Sequence, residues 1–599
     1  MHVRKTVEHR GVTLAHGGFQ VRETVHVCAA GCIKPGADGK PGRAVIKRQA
    51  AVAELLLPKS TVGYDVMTFI GLQRFVHFQQ REEIRATLDR EHGITLSSGE
   101  ISTLCQRFVV YLEALHQARA GALREALASD GGWPLHMDAT GEDGRGTLFV
   151  VYAGWRGWAL GAWKIPTERA DAMLPKLRNV AERFGAPCAV MRDLGKAVIE
   201  AARDFVAELD CPIPVLGCHM HFVKDVGKDL LRASHEDLRD LFRRFEVQAR
   251  LRALTRDLGR GLGVDIEQAR RDVASWLAGA DERFLLPDGK AGLAVVRALG
   301  QWVLDYPTDG TDAGFPFDRP YLDLYRRCQS VCKVADSLLR KPHDDVRVHQ
   351  MLERLLRIID SVRSVPLFQG PVRVLDMRAR LFDELRDALR LMPKPQPRSS
   401  AAPTDTQELL LELRDVRAAV EELQASLRER RPERGPAQDL RNAIDLILQH
   451  LERHGSSLWG HAIALPGGGI RLVERTNVLL ESFFHEVKRG ERRRSGRKVL
   501  TQDLEQLPAA AVLARNLTKP DYVSILCGTL EKLPRAFAQL DVGDRSSSLS
   551  ARLSAVDSGS VEVVSASLPR ADRDLVRTEV MRIRVQTESR SRAPRRRVG

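Results

Sequence analysis

Three acidic residues from distant parts of the chain could together hold a pair of divalent metal ions. Asp138 ends a strand-like run, residues 133–137, and Asp193 ends a second such run, residues 189–192. Glu481 lies far downstream, directly before a dense basic segment. Carboxylates that flank two Mg²⁺ or Mn²⁺ ions about 4 Å apart serve phosphodiester cleavage and joining, because one ion activates the nucleophile and the other stabilises the leaving oxygen. The three residues are therefore candidate catalytic and metal-binding residues.

The two aspartates also have ordinary structural interpretations, and the glutamate has rival positions. Asp138 could be a turn aspartate and Asp193 could cap the helix that follows it. Glu474 and Glu486 are rival candidates for the third ligand. The hypothesis therefore depends on elements that bring all three positions together.

The composition favours a polyanionic partner. Among the 599 residues, lysine and arginine exceed aspartate and glutamate by 92 − 78 = 14, and the pI is near 9.5. This length predicts about three to five domains. The charge excess fits nucleic acid or an acidic membrane surface.

The sequence predicts a cytoplasmic protein with no membrane partner. It has no run of about 18 apolar residues, and no apolar core follows the charged N-terminus. Nine cysteines in 599 residues indicate reduced thiols instead of a disulfide framework.

The N-terminal third of the chain divides into two predicted regions. Residues 1–60 form a polar segment in which Cys28 and Cys32 could belong to a degenerate zinc ribbon or be incidental. Residues 61–128 predict a helix-turn-helix DNA-binding region, with Ser97 and Ser98 as alternative caps of its second helix.

The remainder predicts an α/β core interrupted by a large all-α insertion. Residues 129–229 and 461–545 form the two parts of the core, with a mixed five-stranded sheet and flanking helices. Residues 230–460 form the insertion, and residues 546–599 a basic, disordered tail. A heptad pattern at about 405–430 predicts a helix that either dimerises the protein or packs as a helical hairpin. Its apolar positions are Leu409, Leu413, Val416, Val420, Leu423 and Leu427.

Two further phrases complete a recognisable pattern. Cys218 follows Asp193 by 218 − 193 = 25 residues, and His221 comes three residues later. Thr476 and Asn477 precede Glu481. With the two aspartates and the basic segment, these phrases make residues 60–540 resemble the DDE transposases of the Mutator-like group and related bacterial insertion-sequence enzymes.

The resemblance implies a ribonuclease-H-like core and a DNA transposase, and with it a bacterial, nucleoid-associated protein. Such an enzyme would bind the terminal inverted repeats of a mobile element as a homo-oligomer, cleave DNA, and join 3′-hydroxyls to target DNA with two Mg²⁺ or Mn²⁺ ions. Cys218, His221, Thr476 and Asn477 would support its active site, with zinc binding at the first two as the alternative. The cations expected to contact double-stranded DNA are Lys488, Arg489, Arg492, Arg493, Arg494, Arg497 and Lys498.

Two other functions fit the same residues. A non-catalytic DNA-binding protein descended from such an enzyme would keep the fold, and a ribonuclease-H-like nuclease would cut without joining. The interval of 481 − 193 = 288 residues before Glu481 is long, so its place in the site requires the insertion to return the chain to the core.

Overall fold

The structure is a computed structural model of the chain. It describes residues 1–34, 42–47, 50–142, 145–260, 262–263, 266–279, 285–306, 314–340, 345–391, 406–543 and 547–557. Two compact units divide these residues. The first unit holds the described parts of residues 1–215, 463–469 and 477 onward, and the second unit holds those of 216–462 and 470–476.

The first unit begins with a long β-hairpin and a group of helices. Its elements are β1 His2–Thr13, β2 Gly17–Val27, β3 Ile33–Lys34, β4 Arg43–Ala44, β5 Ile46–Lys47, α1 Ala50–Leu55, α2 Tyr64–Phe75, α3 Arg81–His92, α4 Ser98–Ala118 and α5 Ala120–Ser129. Strands β1 and β2 pair antiparallel along their whole length. The polar segment predicted for residues 1–60 thus contains an extended two-stranded ribbon, which its polar composition did not reveal.

Local signals in the sequence define the α3–α4 pair. Helix α3 ends at Gly93, whose φ of 63° is the left-handed conformation that favours glycine. Helix α4 begins with a capping box, in which the Ser97 hydroxyl accepts from the Glu100 amide at 3.2 Å and the Glu100 carboxylate accepts from the Ser97 amide at 2.8 Å. Of the two predicted caps, the structure therefore uses Ser97.

A five-stranded mixed sheet follows, as the sequence predicted. Its elements are β6 Pro134–Glu142, β7 Arg145–Ala153, β8 Trp158–Lys164, α6 Ala170–Phe184, β9 Ala189–Arg192, α7 Lys196–Ala207 and β10 Val215–Gly217. The strand order is β10-β9-β6-β7-β8, with β6–β7 and β7–β8 antiparallel and β6–β9 parallel. Strand β7 is buried along residues 147–153, which explains its continuous apolar run.

The second unit is built almost entirely from helices. They are α8 His219–Arg244, α9 Val247–Gly259, α10 Ile266–Leu277, α11 Gly289–Leu304, α12 Pro320–Leu339, α13 Val346–Ser364, α14 Gln369–Ala388, α15 Thr406–Arg430 and α16 Gln438–His454, with 3₁₀ turns at Pro366–Phe368 and Gly455–Leu458. Short strands β11 Ala462–Ala464 and β12 Ile470–Leu472 lie where the chain passes between the units.

The heptad pattern corresponds to α15. Val416, Val420 and Leu427 are buried within the second unit, where α15 packs on α14 and α16. This packing favours the helical-hairpin alternative for these positions, because the apolar seam is covered by the chain itself. No helix in the described part of the chain combines the length and apolarity of a membrane span.

The chain then completes the first unit with helices. They are α17 Val478–Ser495, α18 Thr501–Gln506, α19 Pro520–Leu526, α20 Leu533–Gly543 and α21 Ser547–Asp557, with 3₁₀ turns at Ala509–Thr518 and Leu530–Lys532. Helix α21 corrects the prediction of a disordered tail from residue 546. It packs on α4, where Arg552 pairs with Glu113 and Leu549 is buried. The arginine-rich residues 570–597 lie outside the described residues.

Candidate active site

Asp138 and Asp193 belong to neighbouring parallel strands: Asp138 lies in the interior of β6, not at the strand end that the sequence predicted, and Asp193 directly follows the last residue of β9. Strands β6 and β9 pair in a register that places His136 opposite Met191. Each aspartate follows its member of that pair by two residues, so both occupy the same level of the sheet. Adjacent strands are about 4.8 Å apart, which brings the two carboxylates into one another's electrostatic field.

A buried amide ties the start of α17 to β6. The side chain of Asn477 is fully buried, and its Oδ1 lies at hydrogen-bonding distance, 3.0 Å, from Nδ1 of His136. Its Nδ2 donates to the carbonyl of Met137 at 3.4 Å. The Asn477 carbonyl in turn accepts from the amide of Glu481 at 3.0 Å, which closes the first helical turn. The Thr-Asn phrase thus contains the residue that anchors the glutamate helix next to Asp138.

This tie places Glu481 at the level of Asp138. Glu481 follows Asn477 by four residues, or about 6 Å along a helix. Asp138 follows His136 by two residues, or about 7 Å along a strand. In a second contact, Nζ of Lys488 donates to the carbonyl of Gly141 at 3.1 Å. Helix α17 and strand β6 therefore lie side by side and run in the same direction.

Apolar packing holds the same helix against the sheet. Leu480, Phe483, Phe484 and Val487 of α17 belong to the core of the first unit. The ring of Phe483 lies 5.5 Å from that of Tyr152 on β7, measured between centroids. Because these residues recur at helical spacing, they orient one face of α17 toward the sheet and fix the direction of the Glu481 side.

The electrostatics of Asp138 identify a cluster of negative charge. Burial, together with the nearby carboxylates of Asp193, Glu481 and Glu168, raises the pKa of Asp138 to about 8, although a hydrogen bond from the Ala139 amide acts in the opposite direction. A carboxyl group in this setting resists ionisation unless a cation is present. The site therefore brings together carboxyl oxygens, the type of donor that hard divalent cations prefer.

Glu168 is a fourth carboxylate that the sequence reasoning missed. It lies in the loop between β8 and α6, and burial together with Asp193 raises its pKa. No strand end or motif marks this loop position, and only the fold places it in the field of the two aspartates.

The three predicted ligands do not meet the spacing that one shared ion would need. Among the described residues, Asp138, Asp193 and Glu481 do not form a set whose ligand oxygens all lie within 4.8 Å of one another, the spacing that one shared ion needs. Carboxylates that flank two ions about 4 Å apart are spread more widely. Asp138 is the residue whose pKa both Asp193 and Glu481 raise.

The raised pKa of Asp138 gives a pH dependence that metal should reverse. A carboxyl whose pKa is about 4 when unfolded and about 8 when folded contributes stability at low pH that is lost as pH rises through 8. In chelator, we expect the free energy of unfolding to fall by a few kcal/mol between pH 5 and 9 in the wild type, and by less in Asp138→Asn.

Urea denaturation of both proteins at the two pH values measures this difference. Added Mg²⁺ should restore the wild type at pH 9 and leave Asp138→Asn nearly unchanged. Identical pH profiles for the two proteins would contradict the assignment of a charged, metal-holding Asp138.

The predicted supporting residues fall in different units. Asn477 belongs to the first unit, whereas Cys218, His221 and Thr476 belong to the second. Cys218 is buried and directly precedes α8, and His221 is half-buried in the first turn of that helix. Within the first unit, only Asn477 of these four takes part in the geometry around Asp138.

The predicted DNA-contacting cations differ in their surroundings. Arg489, Arg492, Arg493, Arg497 and Lys498 are exposed. Lys488 is half-buried against Gly141, and burial lowers its pKa. Arg494 is largely buried, with its guanidinium 2.6 Å from Glu491 and 2.9 Å from Asp503. The prediction that Arg494 contacts DNA is therefore unsupported, since its charge is already paired within the fold.

Cys28 and Cys32 lie on a turn that connects β2 to β3. The amide of Cys28 donates to the carbonyl of Val45 at 2.9 Å, and the amide of Val45 donates to the carbonyl of Cys32 at 2.8 Å. In the described part of the chain, no third histidine, cysteine or carboxylate joins them within ligand distance. This arrangement gives two of the four ligands that a structural zinc ion requires.

Comparisons with known proteins add no further identification. Protein-family models, curated proteins and solved structures give no match to this chain. The geometry around Asp138, Asp193 and Glu481 therefore carries the functional assignment.

Proposed function

We propose that this chain is a DDE-type DNA transposase with a ribonuclease-H-like core. The observation that carries the proposal is the convergence of Asp138, Asp193 and Glu481, two on parallel strands in register and one on a helix tied to the same strand. The chemistry suited to such a carboxylate set is phosphodiester cleavage and joining with two divalent ions.

In this proposal, Asp138, Asp193 and Glu481 hold two Mg²⁺ or Mn²⁺ ions. The ions, when bound, supply activation of the attacking oxygen and stabilisation of the leaving one. The protein's own contribution is rigidity: the sheet orients the aspartates, and Asn477 holds the glutamate helix. A water would serve as nucleophile for cleavage, and the released 3′-hydroxyl would serve for joining.

The exposed cations of α17 and of the turn that follows it provide the proposed DNA surface. Arg489, Arg492 and Arg493 lie within about three turns of Glu481 on the same helix, so a strand bound at the carboxylates would pass these charges. The α3–α4 pair supplies a second proposed contact, at which an oligomer would bind the inverted repeats. Phosphate contacts of this kind position DNA without reading its sequence.

Charge removal on this surface should change the salt dependence of binding. In a variant with Arg489, Arg493 and Lys498 all replaced by Gln, we expect the slope of log K against log salt to become shallower by about 2 to 3. Fluorescence anisotropy on a duplex between about 50 and 200 mM salt measures the slope. Arg494→Gln is the matched control, which should lower stability and leave the slope unchanged. An unchanged slope in the triple variant would exclude this surface.

The proposed function is tested with labelled duplexes made from the DNA that flanks the coding sequence. Wild-type protein with Mn²⁺ should produce nicks that leave 3′-hydroxyls, and joined products with a target duplex. Nicks without joined products would favour a nuclease, and binding without nicks would favour a non-catalytic DNA-binding protein. Either outcome would overturn the transposase assignment.

A further inference from the structure

The turn between α2 and α3 lies directly on the helix that carries Glu481. Gly490 is in the interior of α17, where alanine is the better helix former. A Cβ built on Gly490 would lie 2.1 Å from two ring atoms of Phe78, far inside van der Waals contact. Glycine is therefore needed at this position because the ring of Phe78 packs on the helix backbone.

Phe78 itself is held in an unusual conformation. Its φ of 56° lies in the left-handed region, which is disfavoured for a bulky residue. Such a conformation persists only where surrounding contacts determine it, and it is concentrated at sites where position matters. The contacts around Phe78 thus hold its backbone in a disfavoured conformation, in which its ring packs on α17.

Two polar contacts join the same turn to α17. The guanidinium of Arg515 lies 5.2 Å from the ring centroid of Phe78, donates to the carbonyl of Val76 at 3.4 Å, and pairs with Glu486 of α17. The side chain of Gln80 donates to the carbonyl of Arg493 at 3.4 Å. The turn therefore contacts α17 directly at Gly490 and Arg493, and Arg515 bridges it to Glu486.

This turn also begins the predicted DNA-reading pair. Gln80 directly precedes α3, and its amide donates to the Glu83 carboxylate at 2.7 Å, so it caps that helix while touching α17. A displacement of α3 would consequently be transmitted to α17 through residues 76–80. The start of α17 is fixed by Asn477, so the helix is held at two points, one on either side of Glu481.

We propose that residues 76–80 are a clamp that sets the position of Glu481 and couples it to the α3–α4 pair, with Phe78 as a positioning residue. The coupling to catalysis rests on the proposed function, whereas the placement of α17 by the ring does not. Phe78 touches neither the carboxylates nor the predicted metal ions, so its effect would act through the helix.

The test compares Phe78→Ala, Gly490→Ala and the double variant. In single-turnover nicking of a prebound duplex with Mn²⁺, we expect each single variant to be at least about ten-fold slower, with DNA affinity within about two-fold of wild type. Because the added methyl has no ring to strike once Phe78 is removed, the double variant should be no slower than Phe78→Ala. Independent, multiplying losses would overturn the contact.

Hydrogen exchange separates this proposal from the proposed function. Backbone amides of residues 480–482 should exchange at least about ten-fold faster in both single variants. Gly121→Ala in α5 is the control, because its methyl would meet open space, and exchange there should match wild type. Unchanged exchange in both single variants would overturn the clamp even in an active enzyme. If the single variants exchange faster but the wild-type protein never nicks DNA, the transposase proposal is rejected and the clamp proposal is retained.

Discussion

Replacing Asp193 with Asn is expected to slow DNA strand cleavage by at least about 1,000-fold while the protein stays folded and binds DNA. The substitution preserves size and keeps an acceptor oxygen for the Gly195 amide, which donates to Asp193 Oδ1 at 3.1 Å. It removes the Asp193 carboxylate, which lies close enough to Asp138 to raise the pKa of that residue. Single-turnover nicking with Mn²⁺ measures the loss.

A surface aspartate provides the matched control for this experiment. Asp204 lies on α7, the helix after Asp193, and its carboxylate pairs with neighbouring Arg203 at 2.9 Å. Asp204→Asn changes net charge by the same amount and should retain the wild-type rate. Nicking by Asp193→Asn at the wild-type rate would show that Asp193 serves only the turn before α7, where it accepts from the Gly195 amide.

Asn477→Ala should lower both stability and activity through the anchor of α17. The change leaves Nδ1 of His136 and the carbonyl of Met137 without the buried amide, at a cost of about 2 to 4 kcal/mol in the free energy of unfolding. Because the helix start is then released from β6, cleavage per folded molecule should fall at least about 100-fold. Urea denaturation and single-turnover nicking report the two effects.

Asn516 separates the loss of stability from the loss of position. This asparagine is equally buried and bonds both the amide and the carbonyl of Ala159 at 2.8 Å. Asn516→Ala should cost a similar free energy and leave the rate of the folded fraction near wild type. If both variants lose cleavage in proportion to stability alone, Asn477 does not position Glu481.

The sequence could predict the sheet because its signals are local. The apolar runs that end at Asp138 and Asp193, and the alternation of strand and helix between them, describe elements within about 20 residues of one another. The register of the paired strands, in contrast, is not a local signal. It depends on which residues of β6 and β9 pair, and no local pattern encodes the placement of His136 opposite Met191.

The longest-range parts of the site could not be derived from spacing. The bond between His136 and Asn477 joins residues 341 positions apart, and the approach of Phe78 to Gly490 depends on how the helices pack. Glu168 was missed because a loop position carries no periodic signal. Helix α21 was missed because the arginine-rich composition that follows it dominated the interpretation of the whole tail.

Crystals of the protein soaked in Mn²⁺ would test the shared metal centre directly through anomalous scattering. Two peaks about 4 Å apart are expected, with Asp138 contacting both and Asp193 and Glu481 completing the ligand sets. Asp138→Asn crystals treated in the same way should lose both peaks. Wild-type crystals without anomalous density at these carboxylates, at Mn²⁺ concentrations that support nicking, would contradict the assignment of Asp138, Asp193 and Glu481 as one two-metal site.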